Sequence, residues 1–173
     1  MLKYLGEPTI TFAEFPDEIS LIFNISNCPG TCKQCSEPEL RADVGELLTK
    51  EALDEKIRSH PGITLVGLMG GDNDHQAVEE LAHYVHEKHH LRVGMYSGFS
   101  FLDINLLNCL DYYKIGEFRP FIGDESTWKD QTAGPIVLPV SNQVMFKRVG
   151  DKWINITDKF RKHKINNWKS TIL

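Results

Sequence analysis

Between residues 18 and 115 this chain alternates short apolar runs with segments whose apolar positions recur at helical spacing, and that alternation restricts its fold more than any other feature. The run at residues 18–26, with Ile19, Leu21, Ile22, Phe23 and Ile25, reads as a buried strand. Thr49 precedes a helical pattern with Leu53 and Ile57 on one face, and Pro61-Gly62 stops it near Ser59. Residues 63–69 form a second apolar run and Gly70-Gly71 a turn; residues 74–89 follow as a helix with Val78, Leu81, Ala82 and Val85 on its apolar face. A third strand at 92–96, a helix at 101–110 and a fourth strand at 111–115 continue the order. Alternation of this kind predicts parallel strands joined by helical crossovers, because a parallel neighbour needs a long return connection. Binding groups then belong in the loops at the carboxyl ends of the strands. The loop after residue 26, Gly70-Gly71-Asp72 and Ser97-Gly98 all fall there.

After Gly116 the rhythm breaks. Pro120, Gly123, Gly134, Pro135 and Pro139 punctuate irregular chain, and residues 144–149 and 153–156 flank Gly150-Asp151 as a hairpin. With 173 residues the chain has the size of one domain, with a core over about 18–120 and a C-terminal extension over about 121–173. About four βα strands cannot close an eight-stranded barrel, so the expected class is α/β, an incomplete (βα) barrel with an irregular, hairpin-bearing extension. A formal net charge of −5 disfavours nucleic acid as a general partner. No N-terminal apolar stretch has signal-peptide length and no run approaches the roughly 18 residues of a membrane helix, so a cytoplasmic protein without a membrane partner is expected.

Three of the four cysteines, Cys28, Cys32 and Cys35, fall within eight residues, and Cys109 lies far away. This is a poor disulfide framework and a good pattern for one metal centre in a reducing compartment. With three and then two intervening residues, one loop can wrap a 4Fe-4S cubane and offer thiolates to three of its irons, leaving the fourth open to act as a chemical reagent. Gly30 gives that loop conformational freedom. The competing reading is a structural zinc site completed by a histidine, although zinc ligands usually come as two separated pairs.

The cysteine spacing, placed directly after the first strand of a βα series, resembles the signature of radical S-adenosylmethionine enzymes. Further segments resemble one family within them, the anaerobic ribonucleoside-triphosphate reductase activating proteins. These are Gly70-Gly71-Asp72 with His75, Tyr96-Ser97-Gly98-Phe99, Gly116-Glu117-Phe118 and Ser141-Asn142-Gln143-Val144, in the family's order. The resemblance implies an incomplete barrel of the radical S-adenosylmethionine type with two cofactors. A 4Fe-4S cluster would sit on Cys28, Cys32 and Cys35, and S-adenosylmethionine would lie against Gln34, Cys35, Ser36, Gly70, Gly71, Asp72 and Ser97. It further implies that the cofactor's amino and carboxylate groups chelate the open iron and that one electron splits the sulfonium. The 5′-deoxyadenosyl radical then takes hydrogen from a glycine of a partner protein, the anaerobic ribonucleotide reductase. A low-potential donor such as flavodoxin or ferredoxin would supply the electron. Activation of another glycyl-radical enzyme, or action on a small molecule, are the neighbouring alternatives; a non-catalytic zinc or iron-sulfur module is the remote one. Where relatives carry an aromatic residue beside the third cysteine this chain has Gln34 and Ser36, and Asn73 stands where proline is common.

Gly70-Gly71 is expected to let backbone approach the methionine moiety, and Asp72 to orient its ammonium group or the strand end. Cys109, among Leu106, Leu107 and Leu110, reads as core. His83, His86 and His90 share a helical face that also carries acidic residues and reads as solvated, while His75 reads as a loop-structuring residue. The basic stretch at 159–169, with Arg161, Lys162, Lys164 and Trp168, reads as a solvated tail with docking on the reductase as the sharper alternative.

Overall fold

The computed structural model describes residues 1–33, 35–118 and 143–160, with Phe160 described by its backbone alone. The elements in chain order are β1 (Lys3–Tyr4), β2 (Thr9–Thr11), β3 (Ser20–Asn24), a 3-10 turn (Pro38–Arg41), β4 (Glu46–Leu47) and α1 (Lys50–Ser59). Then come β5 (Leu65–Met69), α2 (His75–His89), β6 (Arg92–Tyr96), α3 (Ile104–Cys109), β7 (Tyr112–Ile115), β8 (Val144–Val149), β9 (Lys152–Asn155) and a 3-10 turn (Thr157–Phe160).

The three helices begin where a side chain accepts an otherwise unpaired backbone N–H. Thr49 Oγ1 accepts from Ala52 N at 3.2 Å, Asp74 Oδ1 from Ala77 N at 3.1 Å and Asp103 Oδ1 from Asn105 N at 2.8 Å. Asp103 sets the start of α3 later than its apolar pattern predicts, which leaves Phe101 outside the helix and exposed. His90 closes α2 in the left-handed conformation, φ 55°, with its N–H on His86 O.

Seven strands make one mixed sheet in the order β2-β3-β5-β6-β7-β8-β9. β3, β5, β6 and β7 are parallel and lie in chain order with no reversal. The hairpin β8–β9 is therefore no separate extension: β8 pairs antiparallel with β7, Lys114 opposite Met145, and continues the main sheet. Among the described residues β2 and β9 are its edges, and the sheet they bound is open. A further small pair, β1 with β4, is not evident from the residue pattern.

Strand side chains alternate between faces, and the two faces have different cores. On one, Leu21, Phe23, Val66, Leu68, Val93, Met95 and Tyr113 pack beneath Leu53 of α1, Val78, Leu81, Ala82 and Val85 of α2, and Leu106 and Cys109 of α3. Sequential strands joined by same-handed crossovers put all three helices on that side. The other face is lined by Ile22, Leu65, Tyr112 and Met145 around Phe15, which is fully buried. Gly67 and Gly94 pair across β5 and β6 beneath that ring. A β-carbon at Gly67 would stand 2.6 Å from Phe15 Cε2, and one at Gly94 2.3 Å from Phe15 Cε1. Phe15 thus fills a depression made by two absent side chains and forms a floor. No helix among the described residues is long and apolar enough to cross a membrane.

Candidate metal centre

The cysteine loop leaves β3 through Ile25, whose N–H reaches Met69 O, and turns at Asn27, φ 59°, a conformation that asparagine tolerates better than most residues. Beyond that turn the loop is clamped by the 3-10 turn. Asn27 N donates to Ala42 O and Cys28 N to Leu40 O, both at 2.9 Å, and Arg41 Nη2 donates to Cys32 O at 2.5 Å. All three thiols are free and partly exposed. A β-carbon at Gly30 would lie 3.3 Å from Cys28 Sγ and 3.9 Å from Cys32 Sγ, so glycine leaves clear space between two of the sulfurs. Burial pushes the Cys28 thiol above its ordinary value, and the negative charge of Asp72 and of the other two thiols adds to the rise. A bound metal reverses that balance, since a ligating thiol gives up its proton to the ion. Among the described residues no three His, Cys, Asp or Glu side chains are grouped as a metal-holding set. A cluster offers each thiolate its own iron, so convergence on one point is a requirement of a single ion and not of a cubane.

The thiols open into a cavity of about 570 Å³, within the usual range for a small-molecule site. Cys28, Cys32, Cys35 and Ser36 line one side of it, and Gly70, Asp72, Ser97 and Gly98, from the loops after β5 and β6, line another. Asp72 is the best-defined group in it. Its side chain is 3 % exposed, its Oδ2 accepts from Gly98 N at 2.7 Å, and its Oδ1 has no hydrogen-bond partner among the described residues. His75 Nε2 lies 3.5 Å from that oxygen and is itself unpartnered, while His75 Nδ1 is 2.9 Å from Asp103 Oδ2. Ser97 is buried, and its Oγ accepts from Phe99 N at 3.0 Å, which shapes the turn after β6.

The two glycines also serve a purpose beside the one their position suggests. Both have positive φ, 112° at Gly70 and 117° at Gly71, a region that side chains disfavour. The space a side chain would take belongs to this chain's own core: Ile25 O stands 3.1 Å from a β-carbon at Gly70, and Val78 Cγ2 2.8 Å from one at Gly71. Gly70 borders the cavity; Gly71 is turned against α2. At both positions the structure itself gives a packing reason for glycine beside the expected one.

The cavity floor comes from the sheet. Asn24, Met69, Tyr96 and Lys114 are register neighbours across β3, β5, β6 and β7, one from each parallel strand at its carboxyl end, and all four line the cavity. Lys114 Nζ stands 3.5 Å from the centroid of the Tyr96 ring, and the Tyr96 hydroxyl donates to Glu14 O at 2.5 Å and Glu14 Oε2 at 2.8 Å. Lys114 is 7 % exposed, and burial lowers its pKa from 10.5 to about 7, with Glu14 opposing the fall. Burial, reinforced by Glu14, pushes the Tyr96 hydroxyl well above its ordinary value.

Of the residues expected at the site, Cys28, Cys32, Cys35, Ser36, Gly70, Asp72 and Ser97 line this one cavity. Gln34, Ser141 and Asn142 lie outside the described residues, as does the tail beyond residue 160. Gln143 lines the cavity too, and its Nε2 donates to Gly116 O at 2.9 Å. Cys109 is core, fully buried, with burial pushing its thiol up to about 12. The solvated histidine face holds for His83 and His90, both exposed, the latter closing its helix; His86 is half-buried with Nε2 2.8 Å from Asp111 Oδ2. Glu14, Arg41 and Lys114 join the site without having been marked out by sequence reasoning, and Tyr96 is marked there only as part of the Tyr96-Ser97-Gly98-Phe99 segment. The one signal for the other three is a lysine beside the aromatic pair Tyr112-Tyr113.

Compared with known families, residues 19–131, about two thirds of the chain, match the 4Fe-4S single cluster domain. None of the curated proteins or solved structures compared with the chain matches it.

Proposed function

The chain belongs to the 4Fe-4S single cluster domain family, and from that premise we propose that it is a radical S-adenosylmethionine enzyme that installs a glycyl radical on an anaerobic ribonucleotide reductase. The observation that carries the reading is the buried Asp72 Oδ1, a carboxylate oxygen without a hydrogen-bond partner among the described residues, in the same cavity as three free thiols. A ligand with an ammonium group would satisfy that oxygen, and an orphaned buried acceptor otherwise costs about 1–3 kcal/mol.

These residues fit both cofactors. Cys28, Cys32 and Cys35 would hold the cluster, with Gly30 leaving clear space between two of the thiols. Asp72, held by Gly98 N, would receive the ammonium of S-adenosylmethionine; Ser36, Gly70 and Ser97 border the same space. When bound, the pair supplies one-electron cleavage of a sulfonium and a 5′-deoxyadenosyl radical able to take hydrogen from a glycine. The chain's own part is to position and to shield. Phe15 packs against Tyr96, ring centroids 5.2 Å apart, and Tyr96 is locked by two hydrogen bonds to Glu14. The four parallel strands run in order without reversal, as a partial barrel requires. A barrel left open has room for a glycine-bearing segment of a large partner.

Anaerobic reconstitution with iron and sulfide, followed by reduction in the presence of S-adenosylmethionine, tests the proposal. Brown protein that forms 5′-deoxyadenosine is expected, with none above background from Cys32→Ala. A glycyl radical signal on added anaerobic ribonucleotide reductase would then identify the target. Stoichiometric zinc without iron, or a cluster that cleaves no S-adenosylmethionine, would overturn the enzymatic reading.

A further inference from the structure

Asp72, His75 and Asp103 form a row that leads from the cavity to the start of α3. His75 Nδ1 lies 2.9 Å from Asp103 Oδ2, and His75 Nε2 lies 3.5 Å from Asp72 Oδ1. The hydrogen bond from His75 is the main reason that the Asp103 carboxyl is held below its ordinary range. Asp103 is therefore ionised at neutral pH and can only accept, so the proton of that bond is on Nδ1. A neutral His75 then turns the lone pair of Nε2 toward a carboxylate oxygen that also only accepts. Neither atom has a hydrogen-bond partner among the described residues. Two buried acceptors that face one another are costly, and a second proton, on Nε2, satisfies both.

The other titratable groups around the ring are engaged elsewhere or stand apart from this row. Asp74 pairs with the Met1 ammonium and caps α2. Glu79, Glu80 and His83 border the outer pocket beside His75 on α2, where Glu79 is 3.9 Å from His83. Phe99, from the loop after β6, meets the imidazole edge-on at 5.9 Å. The Tyr113 hydroxyl, which feels both Asp72 and Asp103, is pushed up to about 12 by burial and stays neutral. We propose that His75 is the positioning residue of Asp72: as an imidazolium it holds the carboxylate while the cavity is empty, and it releases its Nε2 proton to solvent when the ammonium of S-adenosylmethionine takes that place. The inference rests on the cofactor reading above. Two cations against one buried carboxylate repel each other, so proton and cofactor weaken each other's binding by the same factor. The ring keeps its Nδ1 bond to Asp103 in both states.

Anaerobic calorimetry of S-adenosylmethionine binding to the reconstituted protein before reduction, in pairs of buffers that differ in ionisation enthalpy, counts the protons released. Wild type should release up to about one proton more than His75→Gln near pH 5.5, with the excess vanishing toward about pH 8, across the range in which histidines titrate. Its affinity should rise roughly tenfold relative to the variant over that interval. Protons released by the ligand's own amine are common to both proteins and cancel in the excess. Asp103→Asn keeps an oxygen for the Asn105 N–H at the start of α3 and removes the charge that fixes the Nδ1 proton, so it should lose the excess too. Iron content and circular dichroism establish which variants fold and take up the cluster, and Asp103→Asn carries the test if His75→Gln does not. Proton counts and pH profiles that match wild type in the folded variants would overturn the proposal, as would an excess of the opposite sign. Wild-type protein that binds and cleaves S-adenosylmethionine in those cases leaves the cofactor reading standing. Wild-type protein that binds none overturns both.

Discussion

Replacing Lys114 by methionine should make the chain's stability respond differently to pH. The amine titrates near 7 in the folded protein against 10.5 for an ordinary lysine. Folding therefore disfavours the charged form, and between those two values the unfolded chain binds more protons. The sign follows. Below about pH 7 the full cost of burying the charge is present, and it is relieved as pH rises toward 10.5. At about 1.4 kcal/mol for each unit of pKa, the penalty is roughly 4 kcal/mol at neutral pH and roughly 2 kcal/mol near pH 9. Methionine keeps much of the volume and carries no charge. It forfeits the ammonium–ring contact with Tyr96, worth up to about 2 kcal/mol when desolvated, so Lys114→Met should be more stable than wild type by roughly 2 kcal/mol at neutral pH. Urea unfolding across about pH 6 to 9.5 measures both proteins, and contributions common to the two cancel in the difference. Wild type should gain about 2 kcal/mol on the variant between pH 7 and 9. Parallel curves would mean that Lys114 is either exposed or already paired, and the reasoning about the cavity floor would fail with them.

Asp72→Asn keeps an acceptor for Gly98 N but removes the charge, so S-adenosylmethionine affinity should fall by roughly tenfold or more while the melting temperature stays close to wild type; equal affinity by calorimetry would remove Asp72 from the site. Gly94→Ala places a β-carbon 2.3 Å from the Phe15 ring and should destabilise by about 1–3 kcal/mol in urea unfolding. Phe15→Leu on that background should recover part of the loss, and a double variant no better than the single one would show that Phe15 is not the obstruction. The Asp54 carboxyl is held down at about 2 by Lys88, and then by His89 and Tyr84, against an ordinary 3.8. Its contribution is present above 3.8 and lost as pH falls through about 2, so Asp54→Asn should flatten the acid limb of a melting-temperature profile. An unchanged limb would show the network to be without weight.

The features legible in the amino-acid sequence are those that rest on spacing. Leu53, Val78, Leu81, Ala82 and Val85 recur at helical intervals because a helix has one buried stripe, and they are the residues found under the sheet. The cysteines are legible because one loop must carry all three. Less legible are features decided by distant chain. Nothing in the residues around Phe15 distinguishes it from other aromatics, and only the empty places above Gly67 and Gly94 make it a floor. β8 joining β7 depends on pairing across some thirty intervening residues, which no local pattern records. Gly70 and Gly71 stand out in the sequence as places for a ligand to approach, whereas the packing of Ile25 and Val78 against them does not.

The site's parts come from two kinds of backbone, and this divides the labour among them. Cys28, Cys32, Cys35, Asp72 and Ser97 stand in loops, where local turns such as Asn27 and the Asp72–Gly98 bond set their direction. Asn24, Met69, Tyr96 and Lys114 stand in strands, where the ladder sets it. Alternation allows each parallel strand one side chain at that level of the cavity face, since the neighbouring position turns toward the helices, as Tyr113 does beside Lys114. A change of residue within the row therefore alters what the cavity recognises without moving a thiol, whereas a slip of one residue in β7 would exchange Lys114 for Tyr113 or Ile115 and turn the ammonium into the helix-covered core. Burying an unpaired charge there is costly enough to forbid the slip. The buried lysine thus helps to specify the register that presents it.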